Sequence, residues 1–279
     1  MWFYENLHQS IKIGFEGNIV INKNTPFQNL KIINNKTLGH ILMLDDIVQT
    51  TEADEFIYHE MLTHPLLFSI KDASNVLIIG GGDGGILREV LKHKKINAVT
   101  MVEIDAEVIE ASKKYLKSIC GNSFNSKKLK LIIDDGAKFV KKTKEQFDLV
   151  IVDSPDPVAA ARVLFSKTFY KDIEEILTPQ GALIRQTGST MWQPKIITDN
   201  YHKLSKIFPV TRPQISAIPT YVGGFFSCLI GGKKIDPAKI AQKTIKARYA
   251  KAKIKTKYYN PQIHFASLML PNYLKGVTK

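Results

Sequence analysis

Three aspartates and one run of glycines define the chemistry open to this chain. Asp83 sits inside Gly80-Gly81-Gly82-Asp83-Gly84-Gly85, and Asp153 and Asp156 belong to Asp153-Ser154-Pro155-Asp156-Pro157. Gly80, Gly82 and Gly85 match the G-x-G-x-x-G spacing, in which glycine permits a sharp turn and close approach of a ligand to a helix N-terminus. A carboxylate inside such a loop repels a pyrophosphate, so the loop favours a cationic ligand over an anionic one. In the second stretch two prolines stiffen the turn, and its two carboxylates can face one cation. An ammonium with a pKa of about 10 must lose a proton before its lone pair can attack, and a carboxylate at this place can serve as the general base.

More acids follow the same rhythm. Glu103 lies about 20 residues beyond the glycines, the spacing at which an acid reaches ribose hydroxyls. Asp135-Gly136 offers an acceptor for an exocyclic adenine amine, and Asp135 also fits the N-cap of a following helix. Tyr58, His59 and Tyr221 can wall an alkylammonium by cation–π contact or hydrogen bonding, and ordinary packing also accounts for them. In a chain of net charge +13, acids placed after strand upon strand mark the functional rim.

The elements that must position these residues are legible from hydrophobic patterning. Gly17 to Lys23, Phe27 to Ile33 and Leu38 to Leu44 are short apolar runs between Asn, Asp and Lys turns, as in a meander of hairpins. Asp54 to Leu62 reads as a helix that His64-Pro65 ends. From Asn75 the chain alternates, with strands at Val76 to Ile79, Ala98 to Glu103, Leu129 to Ile133, Leu149 to Asp153 and Ala182 to Gln186. Helices are expected near 84–93, 105–116, 136–143, 165–177 and 193–206, the second capped by Asp105. This is the pattern of a doubly wound α/β domain, with an antiparallel hairpin of Val210 to Ile218 and Phe225 to Ile230 added at the sheet edge. The expected organisation is a small N-terminal antiparallel β-sheet domain over 1–52 and an α/β catalytic domain over 53–279.

Composition narrows the class. Of the 279 residues 44% are hydrophobic and 23% charged, which suits a globular chain folded throughout. No apolar run reaches the roughly 20 residues of a membrane helix, and Met1-Trp2-Phe3-Tyr4-Glu5 lacks the zones of a signal peptide, so a cytoplasmic protein without a membrane partner is expected. Cys120 and Cys228 are isolated, and with no His ladder neither a disulfide framework nor a metal site is indicated. The basic stretch Lys233 to Lys257 is read as the solvated face of a helix whose apolar stripe is Ala241, Ile245, Tyr249 and Ala252, rather than as a nucleic-acid surface.

With these residues in view, the chain resembles the polyamine aminopropyltransferases, most closely the bacterial spermidine synthases. The likeness runs almost end to end, through Val48 to Met61, the Gly80 to Gly85 loop with Asp83, Met101 to Asp105, Asp134-Asp135-Gly136, Asp153 to Pro157, Leu164-Phe165, Ile218 to Tyr221 and Tyr258 to Pro261. The resemblance implies a Rossmann-like catalytic domain, a homodimer or higher homo-oligomer, and transfer of an aminopropyl group from decarboxylated S-adenosylmethionine to putrescine, giving spermidine and methylthioadenosine. The nucleoside is then a co-substrate, and no cofactor is expected. By the same resemblance Asp153 is the proton acceptor, while Asp83, Asp156 and His59 hold amines. Gln28, Glu103, Asp135 and Gly136, with Gln49, Gly80 and Gly82, form the nucleoside site, and Tyr58 and Tyr221 line the amine channel. The chain departs from the family pattern at Ala159-Ala160-Ala161 and at Gln186-Thr187-Gly188-Ser189, both beside the expected site. Cadaverine, agmatine or spermidine as acceptor remain alternatives, because one methylene changes selectivity by only about 1–3 kcal/mol. An S-adenosylmethionine-dependent methyltransferase, a nicotinamide dehydrogenase and a non-catalytic binding protein are the rival classes.

Overall fold

The computed structural model describes residues 1–6, 8, 10–154 and 159–278, those at 159–161 by their backbone alone. The expected amine-holding Asp156 therefore lies outside the described residues, as do the side chains of the Ala159 to Ala161 departure. The chain begins with two short antiparallel strands, β1 (Trp2–Tyr4) and β2 (Gly14–Glu16). A meander follows of β3 (Asn18–Asn24), β4 (Asn29–Asn35), β5 (Gly39–Leu44) and β6 (Ile47–Thr51), paired in that order. Three of these four match the expected runs; β1, β2 and β6 are too short to show a period of two in sequence.

Helix α1 (Glu55–Ser69) corrects the reading of its end, because it continues through Pro65 for another turn. Proline removes one amide and frees the carbonyl four residues earlier, that of Met61. Gln214 Nε2 donates to that carbonyl at 2.9 Å, so a side chain from a distant strand satisfies the group that would otherwise stop the helix.

Beyond α1 the chain alternates: β7 (Asn75–Gly80), α2 (Gly85–Leu91), β8 (Ala98–Glu103), α3 (Ala106–Tyr115), α4 (Lys117–Cys120), β9 (Leu129–Ile133), α5 (Gly136–Lys142), β10 (Phe147–Asp153), α6 (Lys167–Ile176), β11 (Leu177–Ser189) and α7 (Pro194–Ser205). The hairpin β12 (Val210–Ala217) and β13 (Phe225–Gly232) then closes one side of the sheet, and α8 (Gln242–Ala252) and α9 (Pro261–Ala266) finish the chain. The seven strands of the large sheet run in the order β12-β13-β11-β10-β7-β8-β9. β11, β10, β7, β8 and β9 are mutually parallel, and β13 joins β11 antiparallel. This is a Rossmann-like sheet whose order reverses between β7 and β10, where Gly80 lies opposite Asp153. Ligands in such sheets bind in the crevice at that reversal, beyond the carboxyl ends of the strands.

Apolar residues cover both sheet faces, as parallel strands require. Leu62 and Leu66 of α1 and Ile86 and Val90 of α2 pack on Ile78, Val99 and Ile151, while Phe169 and Ile173 of α6 pack on Leu77, Val150 and Leu183. The meander lays Leu30, Ile32, Leu42 and Leu44 against Val108 and Ala111 of α3, which brings its loops over the crevice. Ile245 of α8 is buried against Met61 and Phe68, with Tyr249 and Ala252 beside it, while most of the helix's lysines face solvent. Among the described residues no helix is long and apolar enough to cross a membrane.

The role given to Gln214 has a direct test. Gln214→Met strands the Met61 carbonyl and is expected to cost about 1–3 kcal/mol in urea unfolding at fixed protein concentration. Adding Pro65→Ala restores the helical amide and recovers most of that loss; equal losses in the single and double variants would show that the carbonyl is not the reason.

Candidate active site

The crevice at the reversal opens into a cavity of about 300 Å³. The meander contributes Gln28 and Gln49 to its wall, α1 contributes Tyr58, the glycine loop contributes Gly80, Gly82 and Asp83, and strand ends contribute Glu103, Asp135, Gly136 and Asp153. Tyr221, from the turn between β12 and β13, closes the side near Tyr58, the two rings 5.5 Å apart. Every expected site residue within the described chain lies here except His59. That residue is fully buried behind the glycine loop, with Nε2 3.1 Å from Asp83 Oδ2 and Nδ1 2.6 Å from Glu55 Oε2. Its expected contact with a ligand is thus corrected to contact with Asp83, the carboxylate that lines the cavity.

Two glycines show why the loop has its sequence. Gly80 has φ +80°, and a Cβ there would lie 1.9 Å from the Asp153 carbonyl, so only glycine lets β7 and β10 meet at the reversal. A Cβ on Gly85 would lie 2.2 Å from the His59 ring. The glycine expected to admit a ligand therefore admits a buried imidazole.

Hydrogen bonds fix most of the polar wall. Tyr58 donates its hydroxyl to Asp153 Oδ1 at 2.5 Å, and Tyr221 donates to the Gln49 carbonyl at 2.5 Å. Asp83 Oδ1 accepts the Gly85 amide at 2.7 Å. Glu103 Oε1 accepts the Asp105 amide at 2.9 Å, and Gln28 Nε2 donates to Asp105 Oδ2 at 2.9 Å. Asp105 caps α3 as expected, and it also ties the meander to the nucleotide-type strand end. Asp135 caps α5 through Oδ1, which accepts the amides of Ala137 and Lys138.

Burial and crowding of like charges tune the acids. Burial first, then the charge of Asp83, raises the Asp153 carboxyl to about 6, while the Tyr58 hydrogen bond and the His59 charge restrain it. Burial, then Asp105 and Asp153, raises Glu103 to about 7. Burial opposes a charged His59 ring, but Asp83 and Glu55 outweigh it and hold the imidazolium up to about 10. Tyr58 and Tyr221 are pushed well above the usual phenol range by burial and by Asp153, so both remain neutral donors. The acids interact, and the proton affinities belong to the cluster as well as to single residues.

Sequence reasoning missed Glu5, which follows β1 and reaches the cavity wall from the chain's first residues. It also missed the apolar wall of Phe27, Val163, Leu164, Val222 and Phe226. No spacing rule links an acid at position 5 to a strand end at 153; only the folded N-terminal strands bring them to one cavity. A larger open groove of about 420 Å³ between α3 and the β3–β4 hairpin contains none of the expected residues.

Residues 55–243 match the family model of the spermine/spermidine synthase domain, and residues 1–52 match the spermidine synthase tetramerisation domain. A polyamine aminopropyltransferase of Desulforudis audaxviator is 44% identical over 276 residues, covering 98% of each chain. This chain belongs to the polyamine aminopropyltransferase family. Another polyamine aminopropyltransferase, from Caldicellulosiruptor bescii, is 42% identical and covers 100% of this chain and 98% of its own. The spermidine synthase of Thermotoga maritima matches with a TM-score of 0.92 at 34% identity, covering 100% of this chain and 94% of that one. A spermidine synthase crystallised with the transition state analogue AdoDATO matches with a TM-score of 0.95 at 35% identity, with the same coverage.

As an aminopropyltransferase the chain is a transferase, and its cavity wall holds a half-buried carboxyl of raised proton affinity, Asp153, a second carboxylate, Asp83, and two neutral phenols. The raised Asp153 carboxyl has a thermodynamic signature. Its folded value of about 6 exceeds the ordinary aspartate value of 3.8, so its contribution to stability is fully present below 3.8 and is lost as pH rises through 6. Asp153→Asn is therefore expected to melt higher than the wild type at pH 8, by a margin that disappears towards pH 4. Melting curves at both pH values check this; a margin independent of pH would place the raised affinity elsewhere.

Proposed function

We propose that this aminopropyltransferase is a spermidine synthase, which transfers the aminopropyl group of decarboxylated S-adenosylmethionine to putrescine with Asp153 as general base. The observation that carries the reading is the pair of carboxylates at the sheet reversal. Asp153, oriented by Tyr58 at 2.5 Å and raised to about 6, faces the cavity beside Asp83.

In this reading Asp153 takes a proton from one nitrogen of putrescine. The freed lone pair attacks the methylene next to the sulfonium, the carbon–sulfur bond breaks, and its electron pair returns to sulfur as the neutral thioether of methylthioadenosine. The leaving group is built into the donor, so the reading calls for no cofactor. Glu103 takes the ribose hydroxyls, and Asp135-Gly136 faces the adenine edge beside Gly80 and Gly82. Asp83 holds the donor's ammonium; a methionine carboxylate in its place would meet a like charge. Gln28 and Gln49 close the nucleoside side, and Tyr58 and Tyr221 flank the amine. Glu5 adds a carboxylate to the same wall and suits the second charge of a diamine.

The likeness of residues 1–52 to a tetramerisation domain supports a homo-oligomer, and the exposed Trp2 and Tyr4 on β1 offer it apolar surface. Cys120 and Cys228 are free and buried, which suits a reducing cytoplasm.

The test is a product assay by mass spectrometry with decarboxylated S-adenosylmethionine and equimolar putrescine, cadaverine, agmatine and spermidine. Spermidine with methylthioadenosine is the expected result. Another aminopropylated amine would move the acceptor, and absence of methylthioadenosine would remove the reaction. Asp153→Asn should lower turnover by about a hundredfold to ten-thousandfold while methylthioadenosine binds as before. The base must be ionised to act, so wild-type kcat/KM is expected to fall as pH drops below about 6.

A further inference from the structure

Behind the cavity wall four side chains form one line of charge. Arg88 Nη1 and Nη2 stand 2.9 and 2.8 Å from the two oxygens of Glu55, whose Oε2 is 2.6 Å from His59 Nδ1. His59 Nε2 continues to Asp83 Oδ2 at 3.1 Å, and Asp83 Oδ1 is held by the Gly85 amide at 2.7 Å. Glu55, His59 and Asp83 are 6%, 0% and 7% exposed, and Arg88 is anchored further by the Ile119 carbonyl and Glu89. Neither Glu55, His59 nor Arg88 lines the cavity; of the four, only Asp83 does.

Both ring nitrogens of His59 thus face carboxylate oxygens, which only accept hydrogen bonds when ionised. A neutral imidazole would turn a lone pair on one of them, so the geometry calls for the doubly protonated ring. With Arg88 and His59 positive and Glu55 and Asp83 negative, the line is balanced, and the charges are buried yet paired at both ends. The other groups facing the ring are Tyr58 on the same helix, in edge contact at 5.6 Å, and Asp153 on β10, whose proton affinity the ring lowers.

We propose that Glu55, fixed by Arg88, is a positioning residue for the aminopropyl transfer: it keeps His59 an imidazolium, and thereby keeps Asp83 hydrogen-bonded and aimed at the donor's ammonium. This rests on the role given to Asp83 under Proposed function. Two carboxylates, Asp83 and Asp153, line one small cavity. The imidazolium hydrogen-bonds one of them and only feels the charge of the other. Asp83 is thereby held in place, and Asp153 is left to exchange protons with the amine. Without the charge of Glu55 the ring loses one of its two anions and gives up its proton at lower pH. A ring lone pair then faces Asp83 Oδ2, and the carboxylate loses the hydrogen bond that aims it.

The test compares two ligands that share the methylthioadenosine part and differ in the aminopropyl group and the charge it places on sulfur. Binding of methylthioadenosine and of decarboxylated S-adenosylmethionine is measured by calorimetry at pH 8 and 9.5 on the wild type and on Glu55→Gln, which keeps the shape and removes the charge. The variant is expected to bind methylthioadenosine within twofold of the wild type and to lose about tenfold for the decarboxylated donor, more at pH 9.5 than at pH 8. A merely structural role would weaken both ligands alike, and that result, or an unchanged ratio, overturns the proposal. A wild type that binds both ligands equally well takes away the role of Asp83 itself and this proposal with it. Should the variant not fold, the nitrogen-15 shifts of the His59 ring in the wild type at pH 8 still decide: two protonated nitrogens support the proposal, and a neutral tautomer refutes it.

Discussion

Helix α1 carries its polar residues into the middle of the protein, where each must find a partner or forfeit its hydration. Asp54, just before the helix, accepts from Thr51 and from the amide and hydroxyl of Thr220, which ties the meander to the turn that bears Tyr221. Glu55 takes Arg88, Tyr58 takes Asp153 and His59 takes Asp83. Glu60 collects the amides of Lys257, Tyr258 and Tyr259, drawing the end of the chain onto the helix. Satisfying one helix thereby gathers the N-terminal sheet, the glycine loop, the β10 strand end, the β12–β13 turn and the C-terminal segment. The cavity is the space these partners leave, and two of its carboxylates, Asp153 and Asp83, are held by consecutive residues of the helix, Tyr58 and His59.

Sequence spacing revealed much of this, for reasons that can be named. Parallel strands buried on both faces are continuous apolar runs, and the acids that end them stand out because a polar residue there has nowhere to go but the rim. Asp105 and Asp135 were legible as caps because the cap is a local interaction within three residues. What could not be read was non-local. The end of α1 depends on Gln214 replacing a missing amide from a distant strand. Glu5 depends on the pairing of β1 with β2, each of three residues. His59 has a motif position that suggests ligand contact, yet the absent side chain of Gly85 and the acceptors of Glu55 and Asp83 draw its ring behind the loop. Spacing specifies which residues share an end of the sheet; it does not specify which of them is the outer layer.

The same tuning that suits the site for amines weighs against the fold. Asp153 and Glu103 are carboxyls whose proton affinities are raised by burial, so ionising them is a cost that the free protein bears at neutral pH. A cation placed among these acids would relieve their mutual repulsion. Glu55 and His59 act in the opposite sense: burial opposes their charges, and their mutual bond and that to Arg88 more than offset it for Glu55. The acids of the cavity wall thus carry a cost of ionisation, while the Arg88–Glu55–His59 contacts behind that wall favour the charged forms.

The topology also separates the charges of a chain whose net charge is +13. In a parallel α/β sheet the helices run opposite to the strands, so helix carboxyl ends gather at the edge where strands begin. Lys95 Nζ reaches the carbonyls of Leu67 and Ile70 at the end of α1, and Arg248 reaches those of Phe68 and Ser69. Lys233 does the same for Glu174 and Leu177 at the end of α6, and Lys128 reaches the Ile96 carbonyl just before β8. Burial lowers Lys95 to about 8, a measure of how far this ammonium has left solvent for backbone oxygen. Lys95, Arg248 and Lys233 have structural partners at helix ends, where the macrodipole favours positive charge. The acids occupy the other edge, where strands end and the cavity opens. A positive protein can therefore present a negative site to a cationic substrate, because α/β winding sends helix ends and strand ends to opposite edges of the same sheet.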